Sequence, residues 1–187
     1  MGYHSTCAPL SNKALVITRE EETNPPLVEP VTLQQAKAWL KMEAIDDDDD
    51  IITDLITQSR VWLETYCGIT LVQRNVTAII EVNKRLELPL GPVMIGSIVV
   101  QDINNSIVDN PKIIGPDNSF VILEGQGQFT VSYLAGYDIM PHWAKMALKQ
   151  YLTYSYEHRG DGLDEDRKEY AYEAKRTAFP YRRNLSF

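Results

Sequence analysis

"AIDDDDDIITDLITQSRVWLETYCG", Ala44–Gly68, runs five consecutive aspartates straight into an apolar repeat, and the reading of that junction decides the fold. Ile51/Ile52, Leu55/Ile56, Ser59, Trp62/Leu63 and Tyr66 recur at the three-to-four spacing of an amphipathic helix. Gly68 fits the left-handed residue that ends such a helix. Asp48 or Asp49 is then the expected N-cap. The neighbouring acids favour the positive helix end by about 0.3–1 kcal/mol each when exposed. The competing use of Asp46–Asp50 is a hard-cation site, in a calcium-binding module or a metal-dependent enzyme. Calcium loops interleave their ligands with turn residues and a glycine, whereas adjacent aspartates repel and point apart. The helix start is the better reading.

Working outward from the N-terminal side, "VTLQQAKAWLKME" opens a shorter helix. Thr32 caps it, and Gln35 stands at the spacing of a capping box. Leu33, Ala36 and Leu40 share a face with Trp39 beside it, so two helices joined by a short acidic linker should pack as a hairpin. Before them, Met1–Pro30 has no sustained periodicity. Its "TNPPLVEP" holds three prolines, which forbid a helix and favour an extended arm, with Ala14–Arg19 a possible short strand.

On the C-terminal side the pattern changes to β. Ile69–Val82 is rich in β-branched residues, Met94–Ile103 reads as a strand and Asn104–Asn105 as a tight turn. "FVILEGQGQFTVSYLAGY" reads as two strands around a glycine turn, Gly125–Gly127. Helix returns at Pro141, with an apolar face too wide for one contact, so it should pack on two sides and end at Gly160. Leu163–Phe179 makes a last helix with a thin face of Tyr170, Ala171, Ala174 and Ala178. The expected fold class is α+β: a small antiparallel helical bundle, a short-stranded antiparallel β region, and extended arms at both ends. The expected organisation is an arm over 1–30, a core over 31–160 and a C-terminal helix with a basic tail over 161–187.

Charge is unevenly placed. The 187 residues carry a formal net charge of −8. Eleven acidic and four basic residues lie in Met1–Asp54, while "KRTAFPYRRNLSF", Lys175–Phe187, has four bases and no acidic side chain. A negative field disfavours tight non-specific DNA binding, which rests on Lys and Arg neutralising phosphates. Opposite ends suit head-to-tail contacts between copies, or different partners at each end. A DNA-packaging factor gripping DNA through the C-terminal bases is a further alternative.

The chemistry-bearing residues do not assemble a catalytic set. Cys7 and Cys67 lack CxxC spacing and paired histidines, so neither a zinc site nor a disulfide framework is expected, and a reducing cytoplasm is the default. His4, His142 and His158 are scattered, and "YEHRG" reads as a helix C-terminus. There is no G-x-S-x-G, H-E-x-x-H or P-loop, and "GQG" lies between strands rather than before a helix. No stretch approaches the roughly 18 apolar residues of a membrane span. Tyrosine is plentiful, and core and interface packing explains it better than stacking on single-stranded nucleic acid, which needs a basic groove.

Three stretches together resemble the small head–tail connector proteins of tailed bacteriophages, also called adaptor or head-completion proteins. They are "VTLQQAKAWLKME…DDDDDIITDLITQSRVWLETYCGITLVQR", "LELPLGPVMIGSIVVQD" and "FTVSYLAGYDIMPHWAKMALKQYLTYSYEHRG", spanning Val31–Gly160. The resemblance implies a structural virion protein rather than an enzyme, with no cofactor and no catalytic or metal-binding residue. It implies a homo-oligomeric ring, commonly of twelve copies, beneath the portal, assembled in the host cytoplasm. Such a ring extends the DNA channel, docks the tail or stopper, and lets duplex DNA pass without specific binding. The family's C-terminal segment reaches the portal, which makes Lys175, Arg176, Phe179, Arg182, Arg183 and Phe187 the candidate portal contact. The Met1–Pro30 arm is longer than in many relatives.

Overall fold

A computed structural model describes residues 13–19, 28–88, 90–109, 111–114, 120–159 and 171–183. The elements are β1 (Lys13–Arg19), α1 (Leu33–Leu40), α2 (Asp49–Cys67), β2 (Arg74–Glu87), β3 (Val99–Gln101), β4 (Lys112–Ile114), β5 (Phe120–Ala135), α3 (His142–Glu157) and α4 (Tyr172–Ala178). A 3-10 turn, Phe179–Tyr181, follows α4. This is the α+β architecture expected. The chain forms two compact units: a sheet unit of residues 1–19, 75–134 and 185–187, and a helical unit of residues 20–74 and 135–184.

In the helical unit, α2 is central. Ile52, Ile56, Leu63 and Cys67 pack into one core with Ala144, Ala147, Leu148 and Leu152 of α3, joined by Val31, Ala36, Ile69, Leu71 and Ala178. Burying each large aliphatic side chain contributes about 1.5–3 kcal/mol. The predicted stripe is nearly right. Ile51, however, is exposed, and the buried arc continues instead through Arg60 and Glu64. As expected from its broad apolar face, α3 packs on both α2 and α4. Small Ala171 and Ala174 let α4 approach Tyr151 and Trp62. The Trp62 ring stacks on Tyr151 at 4.1 Å and on Tyr66 at 5.4 Å.

Local signals set the helix ends. Thr32 Oγ1 accepts from the Gln35 N–H at 3.2 Å, and Gln35 Oε1 accepts from the Thr32 N–H at 3.3 Å. Gly68 (φ 65) closes α2, its N–H donating to the Glu64 carbonyl. Pro141 stands one place before α3 rather than in its first turn. The expected end at Gly160, and Leu163–Tyr170 of the expected last helix, lie outside the described residues; helix is described from Tyr172.

The sheet unit holds five strands in the order β1-β2-β5-β3, with β4 also on β5. β1 runs antiparallel to β2, from Lys13↔Glu81 to Arg19↔Val76, with a register shift between Ala14 and Val16. Part of the segment expected as an extended arm is therefore a strand, and the rest of it before Val28 lies outside the described residues. β3 and β4 pair with opposite ends of β5: Val99↔Ser132 and Lys112↔Ile122. Two corrections follow. Gly125–Gly127 is not a turn, because β5 continues through it for 16 residues. Gly127 takes φ 138, which a glycine adopts inside a strand without reversing the chain. The strand expected over Met94–Ile103 shrinks to Val99–Gln101, because Met94–Ser97 turns. Ser97 Oγ donates to the Met94 carbonyl at 2.8 Å and accepts the Leu134 N–H at 3.0 Å. The Asn104–Asn105 turn is present: Asp102 Oδ1 accepts both the Asn104 and Ser106 N–H at 2.8 Å, and Asn105 takes φ 60.

Candidate docking surfaces

Beneath the surface of the helical unit lies a charge network that sequence reading missed. Glu64, on α2, is 3% exposed, accepts from Arg60 Nη1 at 3.2 Å and forms an ion pair with Arg74 Nη2 at 2.5 Å. Its Oε1 also takes the Leu71 N–H at 2.7 Å. Arg60 reaches on to Glu29 at 2.8 Å, and Thr57 Oγ1 donates to the same carboxylate at 3.1 Å. One carboxylate thereby ties α2 to the turn after it and to the first residue of β2. Arg60 in turn holds the segment preceding α1. The available signal was position: Arg60 and Glu64 stand four apart among Ile56, Ser59 and Leu63, inside the apolar arc.

The aspartate run is divided among partners. Lys37 Nζ pairs with Asp46 at 2.6 Å and Asp49 at 2.7 Å. Hydrogen bonds donated to these two carboxylates, Asp46 first, raise the Lys37 ammonium pKa above its usual 10.5. Asp48 does occupy the N-cap position of α2, but its side chain makes no capping bond. It accepts instead from the Tyr156 hydroxyl and pairs with Arg159 at 3.2 Å, at the far end of α3. Arg159 lies 4.0 Å over the Tyr156 ring. Asp49 belongs to the first turn rather than the cap. Asp47 and Asp50 are exposed. The run is split between Lys37, which takes Asp46 and Asp49, and Arg159, which takes Asp48, and among the described residues no group of three His, Cys, Asp or Glu side chains could hold a metal. Among the same residues, no helix is long and apolar enough to cross a membrane.

The C-terminal candidates share a short stretch. Arg176 and Phe179 are exposed, Phe179 by 66%, while Lys175 and Arg183 are half-buried. Arg182 is exposed and sits 5.3 Å over the Tyr66 ring. The Arg183 N–H donates to the Cys67 carbonyl at 2.8 Å, which anchors this stretch on α2. Tyr181 stacks on Trp143 at 4.1 Å with the rings 4° apart. The surface therefore presents aromatic faces and guanidinium groups from a fixed backbone, the residue types enriched at protein interfaces. Phe187 lies outside the described residues. Beneath this stretch the Cys67 thiol is buried, and burial pushes its pKa up to about 11. It is not set up as a nucleophile.

Residues 30–110 match the model of the family described as phage gp6-like head-tail connector protein. Three solved structures share the fold. A chain from the neck of an empty GTA particle, determined with C6 symmetry, is 12% identical, with 92% of this chain and 98% of that chain covered at a TM-score of 0.68. A chain from the virion of the native gene transfer agent is 12% identical, with 94% and 97% covered and a TM-score of 0.62. A chain from the native particle's neck, determined with C12 symmetry, is 13% identical, with 86% and 95% covered and a TM-score of 0.59. No curated protein matches the sequence. The fold is shared with chains from the neck and virion of the gene transfer agent particle. Over residues 30–110 the chain carries the sequence pattern of the phage gp6-like head–tail connectors, the resemblance read from its motifs.

Proposed function

We infer that this protein is a structural subunit of the head–tail junction. Its copies form a closed ring that extends the portal channel and receives the tail or a stopper. The observation that carries this is the connector-family match over residues 30–110. The likeness to chains of necks determined with C6 and C12 symmetry supports it. A ring contact is heterologous, so each subunit needs two different flanks. The oppositely charged ends of the sequence meet that need. Lys175, Arg176, Phe179, Arg182, Arg183 and Phe187 form the portal contact, with the Tyr181–Trp143 stack holding the middle of that stretch in place. A subunit of net charge −8 suits a channel past which duplex DNA slides without sticking.

Purified protein mixed with portal, viewed by electron microscopy, tests the reading. It predicts rings stacked coaxially on portal, and weaker portal binding after truncation of Ala178–Phe187. A protein that stays monomeric with portal present would overturn the ring, and unaltered binding by the truncated chain would overturn the portal contact.

A further inference from the structure

The helical unit carries a cleft of about 390 Å³ lined by residues of α1, α3 and the start of α4. Two of its walls are aromatic, Trp39 and Tyr172, which are 39% and 52% exposed. The Trp39 indole is fixed in orientation, since Nε1 donates to Thr153 Oγ1 at 2.8 Å. Gln150, which lines the cleft, accepts from Thr177 Oγ1 at 2.8 Å, tying α4 to α3. The exposed carboxylates of Glu157 and Glu173 also line it, and no lining residue is basic. Just outside, Lys149 Nζ stands 5.3 Å from the Trp39 ring centroid, so this indole already takes an ammonium on its face.

Aromatic faces and two carboxylates around one opening are the chemistry that recognises an alkylammonium or guanidinium group. We propose that the cleft receives a lysine or arginine side chain of a second copy of this chain, as the contact joining neighbours. The inference rests on the ring reading above. A closing contact joins two different patches of identical molecules, so an acid-lined cleft requires a basic counter-patch on the same molecule. Lys41 and Lys145, outside the portal contact, are exposed to supply one. Between copies of net charge −8, a cation seated between two carboxylates also offsets the mutual repulsion.

The test replaces Tyr172 with a photo-cross-linking residue (Tyr172→p-benzoylphenylalanine) in rings assembled on portal from an equal mixture of light and heavy-isotope chains. The expected result is mixed-isotope adducts on peptides of the second copy that contain lysine or arginine. In parallel, Glu157→Lys with Glu173→Lys should weaken neighbour association by at least about tenfold while the melting temperature stays unchanged. Adducts only to portal, or only within one copy to residues 160–170 between Glu157 and Ala171, would overturn the proposal. So would double-variant rings of wild-type affinity. If the wild-type chain forms no ring on portal, the ring reading itself falls and the cleft contact with it. Wild-type and variant rings of equal affinity overturn the cleft alone.

Discussion

Glu64 pairs with two arginines and accepts a backbone N–H while almost wholly buried, so its removal would take away the buried carboxylate that both guanidinium groups share. Glu64→Ala should lower unfolding free energy by about 3–5 kcal/mol, read from the urea midpoint; a loss under about 1 kcal/mol would mean the network is not structural. Gly136 carries the other sharp single-residue constraint. It takes φ 122, and an added Cβ would meet the Gln73 Cα, Gln73 N and Val72 carbonyl carbon, each at 2.7 Å. All three contacts are backbone, so no rotamer change relieves them. Gly136→Ala should cost about 2 kcal/mol or more, by thermal or urea unfolding. A neutral effect would show that the "AGY" glycine is there for another reason. Thr32 and Gln35 were legible because a capping box closes over three residues. Asp48 was legible only as a position, because its side-chain partner Tyr156 lies 108 residues away.

At the scale of elements, the α1–α2 connection is held by ion pairs. Lys37 gains two carboxylates on folding, so its folded pKa is raised above 10.5. That contribution is fully present below about pH 10.5 and is lost as pH rises through the raised folded value. The stability difference between wild type and Lys37→Met should therefore stay constant from neutral pH to about 10.5 and shrink above it. Denaturant midpoints across that range measure it, and a difference that instead grows above pH 10.5 would refute the pairing. The α2 stripe was legible because Ile52, Ile56 and Leu63 repeat on a helical period. Arg60 and Glu64 were not, because charges beside an apolar stripe normally mark its solvated edge and here pair inside it. β5 was misread for the opposite reason. Gly125 and Gly127 are a strong local turn signal, but the continuous strand pairs with β4 at Phe120–Ile122 and β3 at Thr130–Ser132, and those pairings are non-local.

For the whole molecule, two helices, a β region and a third helix, together with the connector resemblance, were readable in the sequence, while β4 and the continuity of β5 were not. How surfaces are shared out was not, because the cleft and the C-terminal face each combine residues from distant segments. Under the proposed function the protein is a joint between head and tail. The most direct test is electron microscopy of particles from a producer lacking this chain. The account predicts heads and free tails in normal numbers that fail to join, with joining restored when the intact chain is supplied. Normal numbers of tailed particles without the chain would contradict it.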